Sequence, residues 1–218
     1  MTVTIDASTL NLGQVHYLLK LESYFDGSIT SFLSLEPITE SEQKQLLKLR
    51  NNIQSYYVND KILEGQVKFL FLSPLLWLSG FYSPQIQIAL EEEIERISIE
   101  DEETIIKGRM DILAAERIQN KNPETALWIL VIESKKANAD TSVGLPQLLT
   151  YAYTGLEKQE TVWGLTTNGI TYQFAFLQKN DPSTYQLFPP LNLLYTEQSM
   201  QILQIFKAIC QPYIQSDS

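Results

Sequence analysis

The 218-residue chain has one cysteine, Cys210, and one histidine, His16. A single cysteine excludes an internal disulfide and fits a reducing, cytoplasmic setting. One Cys and one His cannot form the usual Cys/His structural zinc site. A Ser-His-Asp arrangement would have to use His16, which lies in the amphipathic segment "LGQVHYLLKL" and reads better as a surface or core-edge histidine. Neither GxGxxG nor GxxxxGK(S/T) occurs, so no nucleotide-phosphate loop is visible. Long apolar runs are missing too. "VKFLFLSPLLWLSGF" comes closest to a bilayer span, but Lys68 stands at its start and Pro74 inside it, so no membrane association is expected. The N-terminus shows no basic region followed by an apolar one, and no signal peptide is expected. Positive charge is scarce, with a net of −10, which argues against strong nonspecific nucleic-acid binding. That balance is uneven. Residues 91–103, "EEEIERISIEDEE", hold eight acids and one base and account for −7 of it. This stretch reads as a solvated hairpin. Catalysis, if there is any, has to rest on Asp, Glu and Lys, with a metal that prefers oxygen ligands.

What is present is enough apolar material for a core, 44% of the residues. The length suits one domain with an N-terminal extension. A short helix is expected near residues 11–22. Thr39 and Glu42 form a capping-box pattern ahead of Leu46, Leu49, Ile53 and Tyr57 at helical spacing. A second helical stretch runs from about Asp60 to Leu78, with Pro74 kinking or restarting it. Alternation then predicts strands near 85–99 and 103–116, a turn at "NKNPET", and a strand through "ALWILVIESKK" whose continuous apolar run suits burial on both faces. A helix follows with Pro146 in its first turn, then a hairpin about Asn168-Gly169, an extended segment in "STYQLFPPLNL" and a closing amphipathic helix. The order predicts an α/β fold around a mixed sheet. Trp77, Trp128 and Trp163 are expected in core or sheet-face packing.

The strand that ends in "IESKK" raises the chemical question. Glu133 and Lys135 are two apart, so on a strand they share one face, with Ser134 on the other. Burying such charges is costly unless they are compensated. Composition predicts about one acid-x-Lys pair by chance, and two occur. Glu42-x-Lys44 falls on the polar side of a helix and reads as a solvated face. Only Glu133-x-Lys135 ends a core-like strand. Antiparallel pairing across the "NKNP" turn would bring Asp111, set among apolar neighbours, beside Glu133. Two converging carboxylates call for a cation, and Mg²⁺ suits oxygen donors. Lys135 is placed to activate a water or to stabilise charge on a phosphoryl oxygen.

Asp111 followed by Glu133-Ser134-Lys135 after an apolar strand resembles the PD-(D/E)XK nuclease superfamily. Gln147 and Tyr151 in "PQLLTY" resemble the QxxxY element of its RecB-like branch. "LEGQVKFLFLSPLLWLSGFY" resembles the opening helix of type I restriction enzyme R-subunit nuclease domains, and "VWGLTTNGITYQF" their later strand pair. The likeness covers about residues 60–178. It implies a restriction-endonuclease-like domain over 60–218, with a central mixed β-sheet flanked by helices, behind an N-terminal helical extension over 1–59. It further implies a Mg²⁺-dependent DNA endonuclease, restriction- or repair-associated, in which Mn²⁺ can substitute. Asp111, Glu133 and the Ser134 carbonyl would hold the metal, Lys135 the nucleophilic water, and Glu64 a metal-bound water. Gln147 would contact DNA or brace the site, with Tyr151 beside it as a substrate contact. Lys136 reads as a solvated flank or a phosphate contact. Partners implied are DNA, a second copy of the chain, or a restriction-system subunit. Met110 stands where the superfamily's name has proline, and these 218 residues contain no helicase region. The alternative is an inactive nuclease-like fold kept as a binding or assembly module, which the net charge favours. Glu93 is a second upstream acid, in a run that reads as solvated.

Overall fold

The computed structural model describes residues 3–25, 27–59, 61–94, 97–99, 103–117 and 126–214. The expected "NKNPET" turn, and residues 95, 96 and 100–102 of the acidic stretch, lie outside them. The chain opens with strand β1 (Val3–Asp6), helix α1 (Leu12–Leu19) and strand β2 (Glu22–Tyr24). Asn11 and Gln14 close a capping box on α1. Helix α2 (Glu40–Asn59) starts as the sequence predicts, with Thr39 Oγ1 accepting from the Glu42 amide and Glu42 Oε2 from the Thr39 amide. Glu42 also takes the Lys207 ammonium from the closing helix, so it is a tether rather than part of a solvated face; Lys44 stays exposed.

The second helical stretch is three pieces. One short turn α3 (Glu64–Gln66) runs into a π-helical segment over Val67–Leu72, and α4 (Ser73–Leu78) restarts with Pro74 in its first turn. Proline lacks the amide that a continuing helix would use, but in the first turn that loss is harmless.

Six longer strands and helices make the body: β3 (Ile86–Glu93), β6 (Arg109–Glu116), β7 (Trp128–Ser134), α5 (Leu145–Leu156), β8 (Thr161–Thr167) and β9 (Thr171–Gln178). Shorter strands are β4 (Ile97–Ile99), β5 (Thr104–Lys107), β10 (Thr184–Leu187) and β11 (Leu191–Asn192), and α6 (Thr196–Ile214) closes the chain. The large sheet runs β2-β10-β9-β8-β7-β6-β3, with β11 beside β9. Pairs β2/β10 and β7/β8 are parallel and the rest antiparallel, so the sheet is mixed. A second sheet, β1-β5-β4, holds the other N-terminal strand. The extension expected over residues 1–59 thus contains strands as well as helices, and both strands pair with later parts of the chain.

Strand β7 sits between β6 and β8, and the alternation of its side chains feeds two cores. Leu130 and Ile132 join the cluster under α2, α4 and α6, and Val131 joins the one under α1 and α5. Burial on both faces explains the unbroken apolar run. The hairpin after β8 turns at Gly169 (φ 86°), and Asn168 Oδ1 accepts from the amides of Ile170 and Thr171. The turn centre is thus Gly169-Ile170, one residue beyond the expected pair. Trp163 packs on Phe176 at 4.7 Å, while Trp77 is exposed rather than in the core. His16 meets the Tyr185 hydroxyl at 3.0 Å. Cys210 is fully buried, which pushes its thiol up to about 12 and removes it as a nucleophile. Among the described residues no helix is long and apolar enough to cross a membrane.

Candidate functional site

The register Ile112↔Ile132 carries Asp111 opposite Glu133, as antiparallel pairing of these strands predicts. Both acids are buried, Asp111 at 7% and Glu133 at 3% exposure. Asp111 is held at each oxygen. Its Oδ2 accepts from the Ser134 amide and hydroxyl, both at 2.7 Å, and its Oδ1 from the Lys68 ammonium at 2.7 Å. Glu133 Oε1 accepts from Lys135 Nζ at 2.6 Å. Its Oε2 is buried and has no hydrogen-bond partner; Thr166 Oγ1, on the residue paired with Glu133 in β8, has none either.

Helix α5 supplies the second half. The chain leaves β7 through Lys135, whose amide bonds to the Thr167 carbonyl, and turns at Asp140, whose carboxylate caps the Ser142 amide. Gly144 then passes close over the site. A Cβ there would lie 3.2 Å from Glu133 Cγ and 3.4 Å from Lys135 Cε. Gln147 Oε1 accepts from Lys135 Nζ at 2.7 Å, and its Nε2 donates to the Tyr151 hydroxyl at 3.1 Å. Spacing of four puts Gln147 and Tyr151 on one helix face. Tyr151 is 1% exposed, so it does not meet a substrate at the surface as expected. It braces Gln147 from behind, in space left open by Gly108. Lys136 is exposed beyond the strand end.

The electrostatics follow from burial. Desolvation, then the neighbouring Asp111 carboxylate, push Glu133 up to about 8; Lys135 pulls the other way and Glu64 adds to the rise. Burial works against the Lys68 ammonium, but its hydrogen bonds to Asp111 and Glu91 outweigh that and raise its pKa.

Asp111, Glu133, Ser134, Lys135, Gln147 and Tyr151 therefore form one connected group. Glu64 joins through Lys68, 3.6 Å away. Two members are unexpected. Lys68 stands in the π-helical segment, and Glu91 accepts from it at 2.6 Å. Lys68 was visible as the one base in an apolar run, four residues after Glu64. Glu91 carried no such signal. It belongs to the acidic stretch, and it is Glu91, not Glu93, that reaches the site. Glu91 adopts φ 54°, at the point where the β3–β6 register passes from Leu90↔Ile112 to Glu92↔Met110.

The donor chemistry suits a hard divalent cation. Asp111 Oδ1 already holds a positive group, and Glu133 Oε2 is an unpaired buried carboxylate oxygen. Among the described residues, no three His, Cys, Asp or Glu are gathered on a common metal position. Comparison with protein-family models and with curated proteins finds no match to this chain.

Proposed function

We propose that this protein is a metal-dependent DNA endonuclease with a restriction-endonuclease-like fold, hydrolysing phosphodiester bonds in a restriction or repair setting. The observation that supports this best is the end of the central strand. A buried carboxylate with one unpaired oxygen lies beside a second carboxylate, with an ammonium 2.6 Å away. Asp111 and Glu133, with the Ser134 carbonyl, would hold Mg²⁺ or Mn²⁺, and the ion would supply charge stabilisation at the phosphoryl group. Lys135 positions the attacking water, and Gln147, braced by Tyr151, fixes Lys135. Glu64 orients water at the outer side of the site, and Lys136 is free to reach a substrate phosphate. Cutting both strands of a duplex suits a symmetric pair of chains. Incubation with plasmid, linear duplex and single-stranded DNA in Mg²⁺ or Mn²⁺ tests this. We expect cleavage by the parent and none by Asp111→Ala or Lys135→Ala. Equal cleavage by parent and variants would place any activity elsewhere.

A second reading has its own support. Lys68 closes an ion-pair network on Asp111, and the chain carries a net charge of −10. Both suit a nuclease-like fold retained as a binding or assembly module. Titration calorimetry with Mg²⁺ separates the two, because a module of that kind takes up no metal at Asp111.

A further inference from the structure

Two irregularities of the backbone converge on one point. The π-helical segment Val67–Leu72 carries Lys68 inward, and Glu91, left-handed within β3, stands opposite Asp111 at the one gap in the β3–β6 pairs. A π turn inside a helix and a non-glycine residue at positive φ each cost stability and persist where neighbours fix them. What they share is an ion position. Lys68 Nζ lies 2.7 Å from Asp111 Oδ1, 2.6 Å from Glu91 Oε1 and 3.6 Å from Glu64 Oε1. Asp111 Oδ2 is committed to Ser134. Any cation that binds this carboxylate therefore has to take Oδ1, the oxygen that Lys68 holds.

We propose that metal loading at this site is an ion exchange. A divalent cation takes Asp111 Oδ1 and Glu133 Oε2, and the Lys68 ammonium moves onto Glu91. The proposal rests on the metal site of the preceding section and adds its regulation. Glu91 makes the exchange feasible. Its side chain is half exposed, whereas that of Asp111 is 10% exposed, so Lys68 can remain paired while turning toward water. Leaving a buried ammonium without a partner would be prohibitive. Lys68 is long and flexible, and a small swing suffices because both carboxylates already touch it. The metal-free protein is thus held closed by its own counter-ion. Its apparent metal affinity is reduced by the fraction of sites that Lys68 leaves open.

Two measurements on the intact chain test this. Calorimetric titration with MgCl₂ compares the parent with Lys68→Met and Arg109→Met; Arg109 also lies by Glu91, at 3.7 Å, but does not touch Asp111. Lys68→Met is expected to bind Mg²⁺ about tenfold tighter than the parent, as loss of a dominant competitor requires, with Arg109→Met close to the parent. In the second, reductive methylation of the parent is read by mass spectrometry at Lys68, with and without Mg²⁺. Methylation of Lys68 should rise when the metal binds. Binding by the parent with unchanged Lys68 methylation overturns the exchange and leaves the metal site standing. Equal affinities of parent and Lys68→Met do the same. Absence of binding to both proteins overturns the metal site and the exchange together. The methylation arm uses only the parent, so a poorly folded variant does not blunt the test.

Discussion

Glu133 carries opposite demands on its two oxygens. Oε1 accepts from Lys135, which favours the ionised form, while Oε2 is buried without a partner next to Asp111, which favours the protonated form. Burial and the neighbouring carboxylate prevail, and the group stands at about 8 against an ordinary 4.5. A carboxyl whose folded value is raised stabilises the fold when protonated. That contribution is complete below about 4.5 and is lost as pH rises through about 8. Urea denaturation in chelator should therefore show stability falling across this window, by up to about 1.4 kcal/mol per pH unit. Glu133→Gln should flatten the profile there; an unchanged slope in that variant would assign the dependence to another group. Part of this was legible from sequence. Strand periodicity put Glu133 and Lys135 on one face and Asp111 within reach. Nothing in the one-dimensional pattern showed that Lys68 holds Asp111, or that a left-handed Glu91 receives the same ammonium, because both depend on contacts between segments far apart in the chain.

At the level of elements, the hairpin tip and the helical segment that carries Lys68 depend on each other. Gly169 has φ 86°, and a Cβ there would run into the Phe71 ring and come within 3.2 Å of Val67 Cγ1. Val67 and Phe71 flank Lys68 in the π-helical segment. Gly169→Ala should cost about 2–4 kcal/mol, combining left-handed strain with overpacking. A shift in the urea midpoint measures it, and a loss below about 1 kcal/mol would mean that the segment yields easily. The asparagine-glycine signal disclosed the turn, but not that the glycine is also needed for contact with a helix a hundred residues earlier.

The whole molecule is tied together by its first strands. β2 pairs with β10 at one edge of the large sheet, and β1 pairs with β5 in the small one. Ala7, Leu10, Val15, Leu19 and Leu21 are buried in the cluster that also covers β7 and α5. Removing residues 1–24 would expose that cluster and leave β10 as an open edge, a known route to aggregation. A chain starting after residue 24 is expected to lose its cooperative thermal transition by circular dichroism and to elute as aggregate in size exclusion. A monomer with parental melting would show instead that the N-terminal strands are dispensable. In sequence this region looks like an extension, because short strands of three or four residues carry too little alternation to be recognised without their partners.

Local chemistry in the sequence determined the long helices, the hairpin, the buried central strand and the convergence of Asp111, Glu133 and Lys135. Capping pairs, a glycine turn and side-chain periodicity act over a few residues, and those signals are written in order along the chain. Tertiary structure alone decided which ammonium holds Asp111. Lys68 reaches Asp111 from a π-helical segment, and Glu91, at a left-handed position in β3, meets the same ammonium. Their energies come from burial and from charges brought together in space, which no short stretch of sequence records.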